Sequence, residues 1–340
     1  MRSLRSFFQK INLPEENTGI KALSYGVLVL AMSALILTTT LWNPETKSDE
    51  SNSQTATQDE VIRETEEKPD PFKGIRLQAE AAYVLDTTTG EVLFEKNATK
   101  HWPLASITKV MTAMTALDLI PDHTVVTVDQ NAMLIEGDNG LYRDEQWSLQ
   151  DLLDFSLVTS SNSGSGAIAS IAGAIHNGPA TTTFDDNVAF FVSAMNQKAR
   201  EIGLADTEFH NPHGLDTDEE NSGSYSTARD TALMMEYALA NYPDLLDSTR
   251  RPYITRTSLA DITHVVNNTN KVVNRIPGVI ASKTGYTDLS GGNLVVAFDA
   301  GLNHPIIVVV LGSGYDERFS DVLQLVNASI DATSDITQTE

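Results

Sequence analysis

Strand-like runs at both ends of a long globular stretch, with helical periodicity between them, predict a mixed α/β domain. This order implies a mainly antiparallel five-stranded sheet flanked by helices, with a helical subdomain inserted between its N- and C-terminal strands. The first two strands are Ala81-Ala82-Tyr83-Val84-Leu85-Asp86 and Val92-Leu93-Phe94-Glu95, which flank Thr88-Thr89-Gly90 and read as a hairpin turning at Gly90. The other three are the apolar, β-branched runs 278–283, 292–299 and 305–311, separated by Gly, Asp and Asn. Between these regions, helical patterns cover 105–120, 149–158, 165–174, 187–202 and 227–240, and a last helix is expected over 319–330.

The chain has 340 residues, 46 acidic against 23 basic, a formal charge of −23 and no cysteine. The missing cysteine excludes disulfides, thiol catalysis and zinc–thiolate sites. The acid excess argues against a nucleic-acid partner, whose phosphates need a basic surface. It is unevenly spread, with a net +2 over residues 1–42, −6 over 43–70 and −19 beyond.

Residues 22–42, ALSYGVLVLAMSALILTTTLW, carry no charge. As a helix this stretch is long enough to cross a hydrocarbon core of about 30 Å. Bases precede it and acids follow it, so the positive-inside rule puts residues 1–21 in the cytoplasm and everything after Trp42 outside. Its length and the Trp42 exit favour a single-pass anchor over a cleaved signal peptide, whose apolar region is about 7–15 residues. Residues 43–74 read as a disordered acidic linker, because Val61 and Ile62 are the only large aliphatics within 43–70. A globular domain is expected over 75–335.

Ser106 and Lys109, in Ser106-Ile107-Thr108-Lys109, share a face at the start of the domain's first helix. Helix N-terminal amides there can stabilise an oxyanion, and a partly desolvated lysine can take the serine's proton. S-x-x-K alone is close to a chance match, and a surface lysine beside a capping serine explains it equally. Ser160-Ser161-Asn162 supplies a loop serine for proton relay and an amide to hold a substrate, although an isolated triplet of this kind is an ordinary turn. Lys283-Thr284-Gly285, closing a strand, adds a cation, a hydroxyl for a carboxylate and a glycine that lets a ligand approach the backbone. Each of the three elements occurs once.

In this order and context the sequence resembles the penicillin-recognising serine D-Ala-D-Ala carboxypeptidases, low-molecular-mass penicillin-binding proteins related to serine β-lactamases. The resemblance spans about residues 78–325 and includes YVLDTTTGEVLFEKNA at 83–98, TEFHNPHGLD at 207–216, YSTARD at 225–230 and KTGYTDLSGG at 283–292. It implies a DD-peptidase-like fold over 75–335 and a double displacement on a peptidoglycan stem peptide. Ser106 is then the nucleophile, Lys109 its general base, Ser160 the proton shuttle to the leaving D-Ala amine, and Asn162 the group that positions Lys109 and the acyl-side amide. Lys283 and Thr284 hold the terminal carboxylate, and the N–H groups of Ser106 and Tyr286 form the oxyanion hole. Arg318 is a weaker candidate for the carboxylate, with a surface salt bridge as its alternative role. The resemblance implies covalent trapping by β-lactam antibiotics, membrane attachment through the N-terminal helix, and neither metal nor cofactor.

His210 and His213 lack H-E-x-x-H spacing and read as a structural loop. A β-lactamase of class A needs an E-x-x-L-N string, which is missing. A D,D-endopeptidase uses the same site, and the extra C-terminal β domain of fuller carboxypeptidases is not expected, so the choice between these two activities stays open. A non-catalytic peptidoglycan-binding module is the alternative from another class.

Overall fold

The computed structural model describes residues 70–137, 140–177 and 183–334. The expected cytoplasmic segment 1–21, the apolar segment 22–42 and the linker up to residue 69 lie outside them. Among the described residues no helix is long and apolar enough to cross a membrane.

The five strands of the main sheet, numbered in chain order, are β1 (Ala81–Asp86), β2 (Val92–Lys96), β3 (Val279–Thr287), β4 (Gly291–Asp299) and β5 (Pro305–Ser313). They lie in the order β3-β4-β5-β1-β2, every neighbouring pair antiparallel. The sheet therefore joins both ends of the domain, as the strand pattern implies. Gly90, at φ +75°, makes the β1–β2 turn.

Both faces of the sheet are covered, which is why β4 and β5 read as unbroken apolar runs rather than alternating ones. Tyr83, Leu85, Val295, Ile307 and Val309 enter one core; Val84, Val296, Phe298, Val308 and Val310 enter the other. Among the described residues the helices of eight or more residues are α1 (Lys109–Leu119), α2 (Leu149–Thr159), α3 (Asn162–Asn177), α4 (Phe184–Glu201), α5 (Ala228–Asn241) and α6 (Glu317–Thr333). Helix α6 closes the second core with Phe319, Val322, Leu325 and Val326. Helix starts follow local chemistry: Ser148 accepts from the N–H of Asp151, Thr227 from that of Asp230, and Thr183 and Asp186 form a capping box. Phe72, inside the stretch read as linker, stacks on Phe94 with ring centroids 5.6 Å apart.

Two departures from the sequence reading matter for the site. The first helical stretch opens as a 3-10 turn over Ala105–Thr108, with Ala105 at φ +50°, and becomes α-helical at Lys109. Strand β3 continues past Lys283 to Thr287, so Lys-Thr-Gly sits inside an edge strand rather than at a strand end. Gly285 is there for closeness: a Cβ would lie 2.7 Å from Leu104 O and 3.2 Å from Ser106 N. Two small two-stranded sheets, Val125–Val128 with Glu145–Ser148 and Tyr253–Thr257 with Thr263–Asn267, have no counterpart in the sequence reading.

Candidate active site

Ser106 sits on the 3-10 turn beside the free edge of β3, one residue after the positive-φ Ala105. Lys109 opens α1 and is 1% exposed. Its Nζ lies 2.8 Å from Ser106 Oγ, 2.7 Å from Asn162 Oδ1 and 2.8 Å from His213 O. The Asn162 amide is oriented by its other end, where Nδ2 donates to Glu136 O at 2.8 Å. Two of the three partners of Lys109 can only accept. A neutral amine has two N–H donors and one lone pair, so it fills this set when the Ser106 hydroxyl donates to the lone pair. Burial, reinforced by the charge of Lys283, holds the Lys109 pKa well below that of a free lysine. The lowered pKa favours the neutral amine, and Nζ is within hydrogen-bond reach of the Ser106 hydroxyl.

Ser160 ends α2 in the left-handed region, φ +65°, a conformation that costs a non-glycine residue about 1–3 kcal/mol. Its Oγ accepts from Lys283 Nζ at 2.8 Å. Lys283 is 1% exposed and also donates to Thr284 O at 2.9 Å. Burial, then the nearby Arg318 charge, lowers its pKa to about 7. Thr284 Oγ1 donates to Thr269 Oγ1 at 2.7 Å.

Arg318 is not in a surface salt bridge. It is 4% exposed in the first turn of α6, its Nη1 donates to Gly285 O at 2.8 Å, and its guanidinium lies 4.6 Å from the Tyr315 ring centre. Tyr315 meets Tyr286 edge-on at 4.9 Å. Ser106, Ser160, Thr284, Gly285, Tyr286 and Arg318 line a common cleft of about 280 Å³, and none of its lining residues is acidic. Larger cavities, about 400 and 560 Å³, contain none of these residues. Among the described residues no group of three or more His, Asp or Glu could hold a metal.

Sequence reasoning missed the part played by the loop at 210–214. The His213 carbonyl is a ligand of Lys109, while the ring is kept neutral, with its pKa lowered to about 3 by burial and by the Lys109 charge. Its Nδ1 accepts from the Leu215 N–H at 3.2 Å. Gly214, at φ +82°, passes so close to the 3-10 turn that carries Ser106 that a Cβ would lie 1.9 Å from Ala105 O. The HNPHG string shows that glycine, yet what it approaches depends on the fold. Gly214→Ala is expected to shift the His213 carbonyl and slow penicillin labelling about 10²-fold, the typical effect of a 1 Å misplacement. Gel-based fluorescent-penicillin kinetics check this, and an unchanged rate refutes it.

A serine bonded to a buried lysine at a helix start, with a second buried lysine on the adjoining sheet edge, defines a protein of the active-site-serine acyl-transfer class. The chain belongs to the D-alanyl-D-alanine carboxypeptidase family, whose model matches residues 63–314. It is 29% identical over 259 residues to a D-alanyl-D-alanine carboxypeptidase of Bacillus subtilis, covering 74% of this chain and 61% of that protein. The chain therefore spans less than two thirds of that relative's length. It is 28% identical over 266 residues to a D-alanyl-D-alanine endopeptidase of Pseudomonas aeruginosa, covering 76% and 80%. The fold is similar to that of penicillin-binding protein D2 of Listeria monocytogenes, solved in its ampicillin-bound form. The TM-score is 0.59 and the identity 27%, with 75% of this chain and 98% of that one covered.

Proposed function

We propose that this chain is a serine-type D-Ala-D-Ala carboxypeptidase that removes the terminal D-Ala from peptidoglycan pentapeptides through an acyl-enzyme on Ser106. The observation that carries the proposal is the buried Lys109 Nζ 2.8 Å from Ser106 Oγ, held by Asn162 Oδ1 and His213 O, with a pKa lowered far enough for a neutral amine to accept the serine's proton. Ser106 Oγ attacks the carbonyl of the penultimate D-Ala as its proton passes to Lys109 Nζ. The developing oxyanion is held by the N–H groups of Ser106 and Tyr286. The proton taken up by Lys109 is relayed through Ser160, bonded to Lys283, to the departing D-Ala amine, which returns the lysine to its neutral form, and Asn162 keeps Lys109 and the acyl-side amide in place. Lys283, Thr284 and Arg318 receive the terminal carboxylate. Water then hydrolyses the acyl-enzyme.

Reverse-phase analysis of the products from a pentapeptide tests the reading, with free D-Ala as the expected product. Separation of cross-linked dimers with no D-Ala release points instead to D,D-endopeptidase action. A β-lactam enters the same steps as a covalent inhibitor, and because its leaving amine stays tethered to the acyl group after ring opening and obstructs water, the penicilloyl group stays on Ser106. Rapid turnover of benzylpenicillin contradicts this.

Acylation depends on pH with two opposed limbs. It rises as Lys109 loses its proton, at a pH well below 10.5 because its pKa is depressed, and falls as Lys283, lowered to about 7, loses the charge that holds the carboxylate. Lys283→Arg, charged throughout, is expected to move the alkaline limb upward in kcat/KM. An unmoved limb assigns it to another group. The proposal also includes a single-pass anchor at 22–42, with the N-terminus cytoplasmic and the catalytic domain exported; protease accessibility of the intact cell tests that orientation.

A further inference from the structure

We infer that the leaving-group side of the cleft is built for a D-residue carrying a second, distal carboxylate, with Lys271 as the specificity-determining residue. The inference rests on the carboxypeptidase reading, which places the main carboxylate of the leaving residue at Lys283, Thr284 and Arg318. Beyond those groups the cleft does not end. Lys271 lines it, and the same residue lines an adjoining cavity of about 450 Å³ whose other charged residues are Arg275 and Asp316. Alanine, with one methyl group, has nothing to place there.

Lys271 stands next to the carboxylate site. Its Nζ lies 4.9 Å from the centre of the Tyr315 ring, the ring that Arg318 also contacts. A side chain leaving the carboxylate site along Tyr315 therefore meets Lys271. The loop bearing it is pinned: Thr269 N–H donates to Val158 O, Asn268 Nδ2 to Thr249 O and Arg251 O, and the buried Asn270 Oδ1 accepts from Val272 N–H. Lys271 is presented by a rigid support rather than a loose strand.

The ammonium is also available. Its ion pair with Asp316, at 2.9 Å, joins two side chains that are 55% and 69% exposed, and such surface pairs are weak enough for a substrate anion to displace. Lys271, Arg275 and Arg318 outnumber Asp316 along the two cavities, in a domain whose overall charge is strongly negative. Local cation excess in an acidic protein favours an anionic group at this end.

The test compares hydrolysis by the full chain of N-acylated peptides ending in D-Ala-D-Ala, D-Ala-D-Gln, D-Ala-D-Glu and D-Ala followed by D-2-aminoadipate. Glutamine is the neutral isostere of glutamate, so their ratio isolates the distal charge. The expected kcat/KM favours D-Glu or D-2-aminoadipate over D-Gln about fivefold, a ratio that shrinks in 1 M salt and falls to about one in Lys271→Gln. A ratio of one in the unaltered protein that still cleaves D-Ala-D-Ala overturns the inference and leaves the carboxypeptidase reading standing. A preference that survives Lys271→Gln also overturns it. Failure to cleave any of the four overturns the carboxypeptidase reading and the inference with it.

Discussion

With Ser106 replaced by alanine, release of D-alanine from a pentapeptide is expected to fall at least about 10⁴-fold, and penicillin labelling to disappear. The reason is positional. Two serines line the cleft and each bonds to a buried lysine of lowered pKa, but only Ser106 bonds to Lys109, at 2.8 Å, and only Ser106 stands on the turn whose amide faces β3 at Gly285. Ser160 is engaged with Lys283, a lysine whose other partner is the Thr284 carbonyl. Quantifying released D-alanine checks the expectation, and retained activity moves the nucleophile to Ser160.

Lys109→Met is expected to slow acylation about 10³-fold, the scale of a lost general base. Methionine matches the reach of the side chain in a site that is 1% exposed, so the volume stays filled. The variant leaves Asn162 Oδ1 and the His213 carbonyl without their shared donor, at a cost of about 1–3 kcal/mol for each buried acceptor left unpaired. A lower melting temperature therefore accompanies the slower acylation, and the acid limb of the pH profile is lost. Burst kinetics with a fluorescent penicillin and a circular-dichroism melt read the two effects separately. Normal acylation in a folded Lys109→Met protein shows that another group takes the proton.

The groups that were legible in the sequence are those whose geometry is local. Ser106 and Lys109 share a helical face at a spacing of three whatever surrounds them, and the β1–β2 hairpin announces itself through Gly90. That strands from both ends of the domain share one sheet followed from their apolar runs, because a sheet covered on both faces leaves continuous hydrophobic segments, while the strand order needed the structure. What escaped depends on contacts distant in sequence. A backbone acceptor such as His213 O has no signature, since every residue carries a carbonyl, and only packing of the 210–214 loop against the nucleophile turn makes it a ligand of Lys109. Arg318 looked equally suited to a surface ion pair until α6 was seen to bury it against Gly285 and Tyr315. Lys-Thr-Gly looked like a strand end because glycine commonly ends one; here the missing side chain admits the Leu104–Ser106 backbone and the strand continues. The Val125–Val128 and Glu145–Ser148 strands, four residues each and separated by a helix, are too short for alternation to register.

The most direct test of the central claim is the site of the covalent bond. After brief exposure of the protein to benzylpenicillin, intact-mass analysis is predicted to show the gain of one penicilloyl group, and peptide mapping to place it on the fragment that contains Ser106. A protein that gains no mass, or one whose adduct maps to Ser160 or to a fragment outside 103–111, contradicts the assignment of Ser106 and Lys109 as nucleophile and base.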